Sequence, residues 1–206
     1  MESYKKMNKR TILLPLLVSI TLPITALFAD DAELVKNKCG ACHGADGNST
    51  QSKIPSIAGF ASANLEDILE QYKSGDRKGD KYTPEGGKEG DMENIAKNLS
   101  DDDSKKIIAY LAAQKFTPVK QPIDEALAKT GQKIHEKKCE KCHTDNGSNP
   151  EDESSILAGQ WEEYLTVEFK KITDKERNVP KKMFKKFKKL SADDKKALIK
   201  FYTSKQ

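Results

Sequence analysis

"CGACH" at 39–43 and "CEKCH" at 139–143 decide the reading of this chain. Each pentad sets two thiols three positions apart with an imidazole directly behind the second. They hold all 4 cysteines of the 206 residues, and His43 and His143 are two of only 3 histidines. The spacing between the pentads is the period of a repeat. "SIAG" at 56–59 returns as "ILAG" at 156–159 with the same offset of 100. Beyond that the offset falls to 91: Met92 aligns with Met183, "LSDDD" (99–103) with "LSADD" (190–194), and "IIAYL" (107–111) with "LIKFY" (198–202). One nine-residue insertion explains the change, and the longer loop of the first copy, "SGDRKGDKYTPEGGKEGD" (74–91), is rich in glycine and charge. One module is written twice.

C-x-x-C-H is the attachment signature of c-type haem. Two thiols on one turn can add to two vinyl groups on one porphyrin edge. The adjacent imidazole then lies beneath the iron. Three other uses of the cysteines compete. Two disulfides in an exported chain leave the duplicated histidines unexplained. Zinc sites pair C-x-x-C units about 15–20 residues apart, much closer than the two pentads stand. A thioredoxin-like pair needs strands alternating with helices, and no stretch alternates convincingly. Cys39, Cys42, Cys139 and Cys142 are therefore expected to carry two covalent haems, with His43 and His143 as proximal iron ligands.

Counting supplies the sixth ligand. Of 4 methionines, Met1 and Met7 fall in the leader described below. Met92 and Met183 remain, at matching repeat positions, each on an expected loop shortly before a capped C-terminal helix. Ligation of two irons by histidine on both faces would take four histidines, more than the chain has. His135 aligns with Val35, an apolar helix position, and is expected to pack rather than ligate. Axial His–Met ligation raises a haem potential and leaves no iron position open to substrate. That points to electron transfer.

The first residues read as a leader. "MESYKKMNKR" carries Lys5, Lys6, Lys9 and Arg10, and an uncharged apolar stretch ending near Ala29 follows. This is the pattern of a secretory signal, removed on export, so the mature chain is expected in a periplasm with no stable membrane span. Without the leader the net charge is close to zero, but it is polarised. Residues 30–118 hold 12 basic and 16 acidic residues, while 119–206 hold 20 and 15. That distribution suits a polarised carrier better than a nucleic-acid binder. The densest basic run, "PKKMFKKFKK" (180–189), brackets Met183. It is either a rim steering an acidic redox partner or a solvated helix face.

The elements expected are all helical. Ser100 and Ser191 serve as N-caps with acidic residues in the first turn. A short helix precedes each pentad, and "NLEDILEQYK" and "EEYLTVEFKK" form a middle helix in each copy. The organisation expected is a signal peptide at 1–29, a first domain at 30–116, a proline-bearing linker at 117–124 and a second domain at 125–206. Modules this small bury little core of their own, so each is expected to wrap around its haem. Trp161 and Tyr164 have only Ala61 and Asn64 opposite them in the first copy; core packing is expected for both, the alternatives being that they close the second haem pocket or face the first domain. Pro55 is expected to shape the loop on the proximal side.

The tandem pentads, "IPSIAG" (54–59), "SGDR" (74–77) and Met92 ahead of "IAKNLSDDD" (95–103) resemble the dihaem two-domain class I cytochromes c. "KQPID" (120–124), "IHEKKCEKCH" (134–143), "ILAGQWEEYL" (156–165) and "PKKM" (180–183) resemble the dihaem cytochrome subunit of flavocytochrome c sulfide dehydrogenase. The family implies two covalent haem c groups on the four cysteines, with iron ligated by His43 and Met92 and by His143 and Met183. The finer resemblance implies a flavoprotein partner that oxidises sulfide and passes electrons to this chain. The alternative is a free carrier serving a terminal oxidase or a small soluble acceptor. A dihaem peroxidase or thiosulfate dehydrogenase would need an open or unusual axial position, which the placed methionines do not leave.

Overall fold

The computed structural model describes residues 25–152 and 154–206, and side chains from Asp30 onward. The expected leader, 1–29, lies outside the described residues except for the backbone of its last five. Among the described residues ten α-helical segments run in order, α1 (Thr25–Lys38), α2 (Gly40–His43), α3 (Ser62–Ser74), α4 (Met92–Lys97), α5 (Asp101–Ala112), α6 (Glu125–Lys138), α7 (Thr144–Gly147), α8 (Glu162–Asp174), α9 (Lys181–Phe187) and α10 (Ala192–Thr203), with one 3-10 turn at Pro150–Asp152. Among the described residues no strand forms; only two isolated bridges occur, Arg77 with Arg177 and Tyr82 with Gly90. The all-α expectation and the two-module repeat both hold.

Each module packs a first helix against a last one, α1 on α5 and α6 on α10. Sequence dictates both last helices. Ser100 accepts the Asp103 amide at 3.0 Å, and Ser191 forms a reciprocal capping box with Asp194, which satisfies orphan donors at the helix start. Ile107 and Leu111, four apart on one face of α5, are buried against Val35 of α1. The second module buries Leu198, Phe201 and Tyr202 of α10 with Leu165 and Ile172 of α8. A fully buried side chain of this size contributes about 1.5–3 kcal/mol. At Gly131 the α6 backbone comes so close to α10 that a Cβ would lie 2.0 Å from the Ala197 carbonyl oxygen.

The backbone repeats in detail. The Gly47 carbonyl accepts from Ile57 and Ala58 at 2.7 and 3.1 Å, and the Gly147 carbonyl from Leu157 and Ala158 at 2.8 and 3.1 Å. The Gly59 amide donates to Leu111 and the Gly159 amide to Tyr202, each at 2.9 Å. The turn after each histidine differs. Gly44 takes a φ of 80°, which its β-branched counterpart Thr144 does not adopt. Asp145 and Asn146 carry the positive φ instead, at 52° and 63°, as these residue types tolerate. The Asp152 carboxylate pins Thr144 through its amide and hydroxyl, at 2.6 and 2.7 Å.

The modules meet along a polar seam with an apolar member, since Ile156 packs into the core of the first module. Trp161 sits on this seam and not in the core of the second module, whereas Tyr164 packs against that core as expected and also borders the seam. The Trp161 indole donates to the Ser49 carbonyl at 3.0 Å and the Tyr164 amide to the Ser52 carbonyl at 3.0 Å. Trp161 thus has a polar indole edge to satisfy, and the first module supplies the acceptor.

Candidate haem sites

Both pentads form the same turn. The His43 amide donates to the Cys39 carbonyl at 2.9 Å and the His143 amide to the Cys139 carbonyl at 3.0 Å. The Cys42 and Cys142 amides donate to the same two carbonyls at 3.1 and 3.0 Å. Two thiols and an imidazole therefore share one helical turn in each module. All four cysteines are free, so the disulfide reading is not realised. Among the described residues no group of three His, Cys, Asp or Glu side chains converges as a metal cluster, which leaves the zinc reading without a site. Burial pushes the Cys39 thiol up to about 11, and burial raises Cys42 and Cys139 as well. Raised thiols stay protonated at neutral pH and are correspondingly poor nucleophiles and metal ligands as they stand.

The imidazoles are set for ligation by different partners. His43, buried, donates from Nδ1 to the Pro55 carbonyl at 2.9 Å. That bond fixes the tautomer and leaves the Nε2 lone pair for a metal. Pro55 thus acts on the proximal side, where it was expected. His143 has Nδ1 at 3.2 Å from the Ser154 hydroxyl. Burial holds both imidazoles below their ordinary range, and the nearby His135 adds to the lowering at His143. A neutral ring is the form that ligates.

Met92 opens α4 and Met183 lies inside α9, so each stands on a short helix and not on a loop. Asp91 caps α4 by accepting the Asn94 amide at 2.8 Å. Gly79 lets the preceding loop press against this helix, since a Cβ there would lie 2.8 Å from the Met92 nitrogen. A groove of about 250 Å³ separates Lys38, next to Cys39, from Asp91 and Ile95, which flank Met92. A second groove, about 350 Å³, runs along α9 and is lined by Val179, Phe184, Lys181, Lys185 and Lys188. The six lysines of 181–189 are exposed, while Phe187 turns inward and meets Phe169 edge to face at 5.3 Å. His135 is wholly buried and bonds to Tyr202 through Nδ1 at 3.0 Å and to Glu140 through Nε2. It braces α6 on α10, in line with its expected packing role.

Side chains that the sequence did not single out complete the surroundings. The Nε groups of Arg77 and Arg177 are buried and have no acceptor. A buried guanidinium donor without a partner is rare. Each is suited to a carboxylate brought in by a bound group, and haem carries two. Free paired thiols, a pre-set imidazole, a groove between the end of α1 and the Met92 helix and unpaired arginine donors together fit a haem c. Two such turns on an all-helical tandem repeat define a dihaem c-type cytochrome.

The comparisons with known proteins narrow this class. The cytochrome c family model matches residues 29–115, and that of cytochrome C oxidase, cbb3-type, subunit III matches 126–201. Cytochrome c4 of Stutzerimonas stutzeri is 36% identical over 154 residues, covering 68% of this chain and 70% of the relative. Cytochrome c4 of Azotobacter vinelandii is 33% identical over 184 residues and 82% of each chain. The structure of reduced recombinant cytochrome c4 from Pseudomonas stutzeri superposes with a TM-score of 0.69 at 29% identity, covering 86% of this chain and 98% of that one. The chain belongs to the cytochrome c4 family of dihaem class I cytochromes c and carries two covalent haem c groups. These relatives are cytochromes c4 and not the flavocytochrome subunit, so the finer resemblance drawn from the second half is corrected to this family.

Proposed function

We propose that this chain is a free dihaem electron carrier, exported by the leader 1–29 to the periplasm and delivering electrons to a terminal oxidase. Cys39 and Cys42 hold one haem and Cys139 and Cys142 the other. His43 with Met92, and His143 with Met183, would ligate the two irons. When bound, each haem supplies one iron that gains and loses a single electron. The protein's residues do the rest. The thioether cysteines prevent loss of the group outside the cell. Pro55 orients His43, and Ser154 meets His143 at the same ring nitrogen. Met92 on α4 and Met183 on α9 would supply thioether sulfur, which has no proton to gain or lose. Ligation by both residues would leave no iron position open to substrate, which favours relay over peroxidase or thiosulfate chemistry.

The observation that carries this reading is the repeated thiol–thiol–imidazole turn, with matching backbone bonds in both modules. Likeness to cytochromes c4 along most of the chain supports a carrier over the haem subunit of a sulfide-oxidising flavoprotein complex. No helix among the described residues is long and apolar enough to cross a membrane. The test is to purify the haem-loaded protein from the periplasm, reduce it and mix it with oxidase-containing membranes. Rapid reoxidation by a protein that purifies alone is expected. Co-purification with a flavoprotein, and reduction by sulfide through it, would instead establish the subunit reading.

A further inference from the structure

Arg77 and Arg177 stand at the same position of the repeat, 100 residues apart, and meet across the seam as an antiparallel bridge. Both guanidiniums converge on one carboxylate oxygen of Glu168: Arg77 Nη2 at 2.9 Å, and Arg177 through Nη1. Arg77 is 4% exposed and Glu168 7%. Tyr72 lies under the Arg77 guanidinium, 5.0 Å from its ring centre. Burial keeps the Tyr72 and Tyr164 phenols protonated, and Lys171 is matched by Asp80 at 2.8 Å. A buried cation, Arg77, and a largely buried one, Arg177, thus share one anion, and both Nε donors remain unpaired. The arrangement is one-sided, since Glu168 on α8 has Ile68 as its counterpart on α3.

The cluster is contiguous with the segments that serve both irons. Arg77 is two residues from Gly79, whose backbone abuts Met92. Arg177 precedes α9, which bears Met183. Ser56, next to the Pro55 carbonyl that accepts from His43, is bonded to Gln160 on the same seam.

We propose that Glu168 is a positioning residue for electron exchange between the modules. It holds one arginine from each module as a pair whose free Nε donors would be available to carboxylates of the bound haems. It thereby fixes the module orientation and sets the electrostatic field felt by both haems. This deepens the two-haem carrier reading and rests on it. Removing a buried anion stabilises the reduced, less positive iron, and removing a buried cation does the opposite.

The experiment uses the haem-loaded full chain with Glu168→Gln and, separately, Arg177→Gln. Redox titration of both waves is paired with the inter-haem transfer rate after flash reduction. We expect E168Q to raise the potentials and R177Q to lower them. Both should slow inter-haem transfer several-fold, with haem content and ligand bands unchanged. Potentials that move in the same direction in both variants, or not at all, would overturn the proposal while leaving the carrier reading intact. Should E168Q fail to accumulate, R177Q alone decides by the sign of its shift. Absence of covalent haem in the parent would instead remove the carrier reading.

Discussion

Gln160 and Ser56 are bonded to each other twice across the seam: the Ser56 amide donates to Gln160 Oε1 at 3.0 Å, and Gln160 Nε2 donates to the Ser56 carbonyl at 2.7 Å. Both residues are wholly buried. A side-chain amide here replaces the pairing that a strand neighbour would give, and it joins the modules where His43 is oriented.

Replacing Gln160 by Leu leaves the Ser56 amide and carbonyl buried and unpaired, at about 1–3 kcal/mol each. We expect the joint unfolding of the modules to split into two transitions in calorimetry. A single unshifted transition would show that the seam does not couple them.

Gly131→Ala places a methyl group against the Ala197 carbonyl of α10, which is backbone and cannot swing aside. The expected loss is about 1–3 kcal/mol, confined to the second module. Denaturant titration followed separately at each haem checks this, with the first module unmoved.

Much of this was legible in the sequence, for physical reasons. The pentads and the Ser100 and Ser191 caps are local chemistry, and each produced the turn or helix expected. Met92 and Met183 stood out by count and alignment as candidate ligands, but the short helices bearing them did not, since six or seven residues give too little periodicity. The seam was the part not foreseen. Trp161 looked like core because its size was visible and its acceptor, the Ser49 carbonyl, was not. Arg77 and Arg177 could have been noticed from their offset of 100. Glu168 could not, because Ile68 occupies the matching place and only the tertiary structure brings both arginines to it.

Met183→Ala should lower the potential of the second haem and alter its visible spectrum, leaving the first haem unchanged. Met92→Ala should do the reverse, as loss of thioether ligation weakens the preference for ferrous iron. Voltammetry of both variants separates the two waves. A variant with an unchanged spectrum would remove that methionine as a ligand.

Alkaline pH should loosen the seam through Tyr72. Burial pushes its phenol from 10.0 to about 12. The folded state therefore holds this proton more tightly than the unfolded chain, and the stabilisation present below pH 10 is lost as pH rises toward 12. Tyr72→Phe should move the onset of alkaline unfolding upward, measured by circular dichroism across that window.

Intact mass of the exported chain under denaturing conditions is the most direct test of the central claim. The expected value is the polypeptide without its leader plus two haems, with no cysteine left to alkylate. A bare polypeptide, or one with alkylatable Cys39, Cys42, Cys139 and Cys142, would contradict it.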